Sequence, residues 1–265
     1  MSYPAESSAA EPLVSVSAIV PFVDECRSLE VLLDVLLSQP ASAIVEILVV
    51  RGERTGPEAE ADLQRLVARH ADRVRLLSQH LPGLGGAFRE GFRHALGSHF
   101  LAIYADLEAD PELVPELVAT ARRNPIAVVS ASRWLPGGRF EGYGRRKLVL
   151  NLAFQKLMAA LFLCRVTDFT FGYRLYPRQL ARDVAWQENW HPFVLESILV
   201  PLMLGLPVME VPTVWRSRRE GSSSWSAFGY WRYLVTAARI RLRGPSGIRR
   251  AQHSGHGAGA PADSR

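Results

Sequence analysis

Asp106 and Glu108 follow directly on the apolar run 100–105. Two residues apart at the end of a buried strand, carboxylates can point the same way and share a hard divalent cation such as Mg2+ or Mn2+. Arg133 ends another apolar run, ahead of Pro136-Gly137-Gly138. Its planar fork matches phosphate oxygens, so the position suits a phosphate clamp, with a plain surface arginine as the competing reading. The run Asp168-Phe169-Thr170-Phe171-Gly172-Tyr173-Arg174 mixes polar and aromatic residues with no evident period. The segment Pro82-Gly83-Leu84-Gly85-Gly86-Ala87 invites a dinucleotide fingerprint but puts Phe88 where the third glycine belongs. It also follows the third strand rather than the first, so it reads as a tight turn into a helix.

Hydrophobic patterning supplies the elements that must hold these groups. Short apolar runs at 14–20, 44–50, 74–78, 100–105 and 126–132 read as strands. Between them lie helical patterns: the face Leu29, Leu32, Leu33, Val35 and Leu36, then 57–70, 83–97, and a helix opening at Asp110-Pro111. Strands alternating with helices predict an α/β domain with a mainly parallel central sheet flanked by helices. Ligands in such sheets bind beyond the carboxyl ends of the strands. Four strand ends gather polar or glycine-containing segments there: Pro21–Glu25, Arg51–Thr55, Asp106–Asp110 and Ser132–Gly138.

The 265 residues are 48% hydrophobic and 22% charged, which excludes a mainly disordered or fibrous chain. Two cysteines, Cys26 and Cys164, make neither a disulfide framework nor a zinc motif, and a reduced cytoplasmic protein is expected. Residues 1–12 read as a disordered lead-in without a secretory signal, 13–243 as one domain, and 244–265 as a disordered tail. Polar residues interrupt the apolar stretch 148–164, and Glu196, Pro201 and Pro207 interrupt 193–209, so neither is expected to span a membrane. Charge is divided unevenly. Residues 1–130 hold 11 arginines against 18 acids, a balance of −7, whereas residues 131–265 hold 20 bases against 8 acids, a balance of +12. A basic half suits nucleic acid, an anionic membrane or a phosphorylated substrate.

Two helices bear on that choice. Lys147, Asn151 and Gln155 form a narrow polar stripe on the otherwise apolar helix 147–164. Residues 225–243 mix Trp225, Trp231 and Tyr233 with Arg232, Arg239, Arg241 and Arg243, as suits a helix in a membrane interface. Packing on the domain, in a dimer or against a membrane-anchored partner is the competing use.

Taken in order, these segments resemble the family 2 glycosyltransferases, and among them the polyprenol-phosphate sugar synthases of the dolichol-phosphate mannosyltransferase type. The resemblance runs from about Val14 to Arg243. It is carried by Val20-Pro21-Phe22-Val23-Asp24-Glu25, by Gly83 to Phe92, and by Ala131-Ser132-Arg133-Trp134 with Gly137-Gly138. Asp168, Thr170, Gly172, Tyr173 and Arg174 match a further motif, as do Phe193, Glu196, Gly205 and Glu210-Val211-Pro212, and then the segment 218–224.

The resemblance implies a GT-A fold and an inverting transfer of sugar from a nucleotide-diphosphate donor to a lipid-phosphate acceptor, at the inner face of a membrane. It implies donor contacts at Pro21, Asp24, Glu25 and Asp106, with Arg51 and Tyr104 as donor contacts standing where the family has acids, and a divalent cation on Asp106 and Glu108. It also implies acceptor-phosphate contacts at Arg133, Arg146 and Arg218, with Asp106, Arg133 and Arg218 catalytic. Nucleic acid is not an expected partner. The chain differs from the family pattern at the donor side: the second strand ends Arg51-Gly52-Glu53 without the usual paired acids, and Tyr104 replaces the first acid of the metal motif. A catalytically silent homologue serving as a binding or scaffold subunit is the alternative.

Overall fold

A computed structural model of the chain describes residues 14–217 and 228–249. In chain order the elements are β1 (Val16–Phe22), α1 (Cys26–Ser38), β2 (Ile44–Arg51), α2 (Pro57–Arg69), β3 (Val74–Ser78), α3 (Gly83–His94) and β4 (His99–Ala102). A 3-10 turn at Pro111–Leu113 leads into α4 (Val114–Arg123), followed by β5 (Val128–Ser132), β6 (Arg139–Glu141) and α5 (Arg145–Leu161). The rest comprises β7 (Arg174–Pro177), α6 (Gln179–Asp183), α7 (Phe193–Met203), β8 (Val208–Pro212), β9 (Val214–Arg216) and α8 (Phe228–Ile248).

Seven strands form one sheet in the order β3-β2-β1-β4-β7-β5-β8. All pairings are parallel except those of β7, which runs antiparallel between β4 and β5. β6 and β9 pair separately, in parallel. The chain winds outward from β1 to β2 and β3, then returns to β4 on the other side of β1, creating a reversal of strand order beside β1. Register brings the turns together there: Phe22 faces Arg51, and the Gly52 N–H donates to the Phe22 carbonyl at 3.0 Å.

Alternation along the strands sends side chains into two cores. Val16, Ala18, Val20 and Phe22 of β1 face one core with Leu29, Leu32 and Leu33 of α1 and Leu117 of α4. Ile19 faces the other, with Phe88 and Phe92 of α3, Phe154 and Met158 of α5, and Ile198 of α7. The five strands legible by apolar runs are present with ends shifted by up to three residues; β6 to β9 were not foreseen. β7 escapes the pattern because its first residue, Arg174, is fully buried. The domain also continues beyond residue 243. Gly244 breaks α8 at φ 62°, the chain turns back, buried Ile248 joins the second core, and its carbonyl accepts the Ala185 N–H at 3.1 Å. Gly-Pro-Ser-Gly composition hid that single apolar anchor.

Helix α5 buries two residues of its polar stripe, Asn151 and Gln155, each 3% exposed, beside Phe154 and Met158, while Lys147 of the same stripe and Val149, Leu150, Leu157 and Leu161 are exposed. Leu163 just beyond is 86% exposed, and on α8 Trp231 and Leu242 are exposed as well. No helix among the described residues is long and apolar enough to cross a membrane.

Close packing of α3 on β1 is testable. A Cβ at Gly91 would stand 2.4 Å from Ile19 Cγ2. Overpacking costs about 1–3 kcal/mol, against about 1 kcal/mol of helix propensity gained on replacing glycine by alanine. Gly91→Ala is therefore expected to lower the denaturation midpoint, as read by urea titration, despite the better helix former.

Candidate active site

At the reversal of strand order, β4 runs out into Tyr104-Ala105-Asp106-Leu107-Glu108. Leu107 takes φ 56°, a conformation that leucine rarely adopts, and it lets the Glu108 N–H donate to Asp106 Oδ1 at 3.1 Å. Both carboxylates are thereby held in one tight turn. Glu108 Oε2 accepts the Trp215 Nε1–H at 3.1 Å, and the Arg216 N–H donates to the Glu108 carbonyl, also at 3.1 Å. Arg216 pairs with Asp110 at 3.1 Å and with Glu141 at 3.2 Å, so β9 buttresses the acidic turn. Asp110 has the helix-start role that its position predicted, accepting the Glu112 N–H.

Tyr104 packs edge-on against Phe88, ring centroids 5.6 Å apart. Burial, with Tyr176 and Tyr233 nearby, holds its hydroxyl pKa well above the ordinary value of 10.0. The residue is a neutral donor or acceptor, not a replacement charge for an acid. Gly172 is its counterpart: a Cβ there would fall 1.9 Å from the Tyr104 hydroxyl.

The turns after β1 and β2 complete this end of the sheet. Glu25 Oε2 accepts the N–H groups of Val23 and Asp24 at 3.0 and 3.1 Å, shaping the loop that follows Pro21. Arg51 reaches Glu60 of α2 at 3.0 Å and Ser78 of β3 at 3.2 Å. Its charge is thus partly balanced within the protein, and its side chain stays about a third open, at 36% exposure.

A second constellation centres on residues 168–170. Asp168, fully buried, accepts from Arg133 Nε at 2.7 Å, Nη2 at 2.9 Å and the backbone N–H at 3.1 Å. The same guanidinium lies between the rings of Phe140 and Phe171, at 4.9 and 4.8 Å. Burial works against its charge, but Asp168 more than offsets that and raises the Arg133 pKa above its ordinary value. Arg133, expected at an acceptor phosphate, therefore uses Nε and Nη2 within the fold, leaving Nη1 as the edge that this network does not employ. Thr170 Oγ1 accepts from Arg133 Nη2, Asn151 Nδ2 and Gln155 Nε2 at 2.9, 3.0 and 2.8 Å.

The remaining motif residues brace this turn. Arg174 donates to Ser130 Oγ, Ser197 Oγ and the carbonyls of Val194, Asp168 and Phe169. Glu196 accepts the N–H groups of Gln187 and Glu188, both at 2.9 Å, and burial raises its pKa. Glu210, a family-pattern residue given no role from the sequence, accepts from the N–H and hydroxyl of Thr167 and the N–H of Asp168. Arg146 is exposed in the first turn of α5. Arg218 and Trp225 lie outside the described residues. Asn151 and Gln155 were noticed in the sequence only as a stripe, and no local signal marks them as partners of Thr170.

Residues 17–185 match the pattern of Glycosyl transferase family 2. The undecaprenyl-phosphate mannosyltransferase of Micrococcus luteus is 26% identical over 219 residues, covering 80% of this chain and 87% of that protein. The polyprenol monophosphomannose synthase of Mycolicibacterium smegmatis is 28% identical over 210 residues, 76% and 77% of the two chains. Among solved structures, glucosyl-3-phosphoglycerate synthase from Mycobacterium tuberculosis, in complex with Mn2+, UDP-glucose and phosphoglyceric acid, superposes with a TM-score of 0.64 at 18% identity, over 88% of this chain and 81% of that one. The fold is GT-A, as the sequence led us to expect.

Removing the charge from Asp168 while keeping its shape tests the buried pair. Breaking one partner of such a pair costs about 3–5 kcal/mol. Asp168→Asn is expected to lower stability by that order in chemical denaturation, and an unchanged midpoint would show that Arg133 finds its compensation elsewhere.

Proposed function

The chain belongs to glycosyl transferase family 2 and is a glycosyltransferase using a nucleotide-sugar donor; from that premise we propose that it transfers the sugar to a polyprenyl phosphate, with inversion at the anomeric carbon. The observation that carries the proposal is the combination of an acidic turn at the carboxyl end of β4 with an acid-free helix α5 that exposes Val149, Leu150, Leu157 and Leu161 in the same domain. The first offers a place for a nucleotide diphosphate and the second a surface for a lipid. The two curated relatives, named for undecaprenyl-phosphate and polyprenol substrates, support that acceptor class.

Mg2+ and Mn2+ at nucleotide sites take one or two carboxylates and complete their shells with phosphate oxygens and water. Asp106 and Glu108 fit that requirement, although no group of three or more His, Cys, Asp or Glu forms a metal cluster among the described residues. The structural neighbour solved with Mn2+ and UDP-glucose supports a divalent cation. When bound, the cation neutralises charge on the departing diphosphate. Pro21, Asp24, Glu25, Arg51 and Tyr104 would receive the donor around it.

A phosphate acceptor is already ionised near neutral pH, so the site must position it and balance its charge rather than deprotonate it. Arg146, Arg218 and the remaining edge of Arg133 are the groups we assign to that task. An acceptor phosphate oxygen attacks the anomeric carbon, the bond from that carbon to the diphosphate breaks, and the electron pair leaves with the nucleoside diphosphate. No proton need move.

We assign the lipid-facing surface to α5 and α8. Residues 142–167 and 228–249 contain five Lys and Arg each and no Asp or Glu. A second copy of the chain would oppose cation to cation across such a face, whereas an anionic bilayer supplies both an apolar interior and opposite charge.

Calorimetry with UDP- and GDP-sugars, with and without Mn2+, tests the donor half. Metal-dependent binding is expected in the native chain and should be lost in Asp106→Ala; retention in the variant would sink the metal assignment. If the native chain binds no donor at all, Tyr104 and the missing acids after β2 favour a silent binding subunit instead. For the surface, co-sedimentation with anionic liposomes is expected to fall as salt rises, and absence of binding at low salt would overturn it.

A further inference from the structure

The polar stripe of α5 has a use that neither transfer chemistry nor bilayer contact explains. A helix lying on lipid could present an apolar inner face to the domain, as α7 does with Leu195, Ile198 and Leu199. α5 does likewise with Phe154 and Met158, but beside them it also buries two amides. Gln155 Oε1 accepts the Phe169 N–H at 2.8 Å, its Nε2 donates to Thr170 Oγ1 at 2.8 Å, and Nε2 also reaches Asn151 Oδ1 at 2.9 Å. Asn151 in turn donates to Thr170 Oγ1 at 3.0 Å and accepts the Trp134 Nε1–H at 3.0 Å. Hydrogen bonds are directional, and a buried amide left unpaired is costly. The contact between α5 and the turn 168–170 therefore has one register, whereas an apolar contact would tolerate sliding.

That turn is the seat of Arg133, whose Nη2 is shared between Asp168 and Thr170. A displacement of α5 by a fraction of a helical turn strains the hydrogen bonds from the two amides to Thr170, and through Thr170 it bears on the guanidinium. The opposite face of the same helix carries the exposed leucines. We propose that Gln155, with Asn151, is a positioning residue that ties the seating of α5 on an anionic bilayer to the placement of Arg133, so that docking of the helix makes departures from this geometry rarer. The proposal rests on the lipid-acceptor reading above and names a regulation of that same site.

Hydrogen exchange reads the coupling without requiring turnover. The Phe169 N–H is held by Gln155 and the Thr170 N–H by Asp168 Oδ1, so both report on the turn. In the native chain, vesicles of phosphatidylglycerol and phosphatidylcholine are expected to slow exchange across 168–170 on the order of tenfold, as local opening becomes rarer. Gln155→Met should still co-sediment with the vesicles while losing that response. Gln155→Glu keeps an acceptor for the Phe169 N–H but not the donor to Thr170, so it should retain the response at 169 and lose it at 170, which guards against a variant that merely unfolds. In transfer assays with vesicle-embedded polyprenyl phosphate, Gln155→Met should lower kcat on the order of 10- to 100-fold, as expected of a misplaced reacting group, with the donor KM unchanged. Exchange at 168–170 that ignores bound vesicles in the native chain, or variants that respond as it does, would overturn the proposal. A native chain that shows the exchange response but transfers no sugar would instead count against the lipid-acceptor reading alone.

Discussion

The packing of α5, α7 and β7 at the polar end of this domain depends on one buried turn, residues 168–170, gripped by two guanidinium groups. Arg133 holds the carboxylate of Asp168, and Arg174 holds the carbonyls of Asp168 and Phe169. The two arginines come from different strands, β7 and the exit of β5, and Arg174 also reaches α7 through Val194 and Ser197. A buried charge is tolerated only when its hydrogen bonds are satisfied, so each of these elements is held in a single geometry. The turn thus sets the relative positions of the sheet, α7 and, through Thr170, α5. Apolar packing alone would fix the layers but not their register.

This arrangement separates two kinds of precision. The side we propose for the donor is built on the parallel core of β1, β2 and β4, where backbone pairing aligns the turns after Phe22 and Arg51. The side we propose for the acceptor is built on side-chain networks around Asp168, Glu210 and Gln155, with less regular backbone. The first is stiff because its strands are buried on both faces. The second is specific because its polar groups have few ways to be satisfied together. The division also matches the charge split: the acidic half of the sequence supplies β1 to α4, and the basic half supplies α5, α8 and the arginines of the buried turn.

Much of the fold was legible in the sequence where burial follows a simple period. β1, β2, β4 and β5 announced themselves because strands buried on both faces read as continuous apolar runs, and the edge strand β3 through Val74, Leu76 and Leu77. β7 did not, because Arg174 opens it, and nothing in local patterning distinguishes a satisfied buried arginine from a surface one. The motif residues Asp106, Asp168, Thr170 and Arg174 were legible as a family pattern, but their division of labour was not. Arg133 looked like a phosphate ligand because its type and position suit one; its commitment to Asp168 joins positions 35 residues apart, a contact that no window along the chain reveals. Asn151 and Gln155 were visible as a stripe, yet which side of α5 faces inward depends on partners at 168–170 that belong to another segment.

The meeting of Tyr104 and Gly172 carries a lesson about how such a chain can diverge. The tyrosine ring fills the space that any side chain at 172 would need, and it rests edge-on against Phe88 in a largely apolar wall. An acid restored at 104 would vacate that space and leave a carboxylate facing an aromatic ring. A larger residue at 172 would evict the tyrosine. The constraint runs one way: a glycine at 172 leaves position 104 open to a ring or to a smaller side chain, but with the tyrosine in place position 172 can no longer accept a side chain.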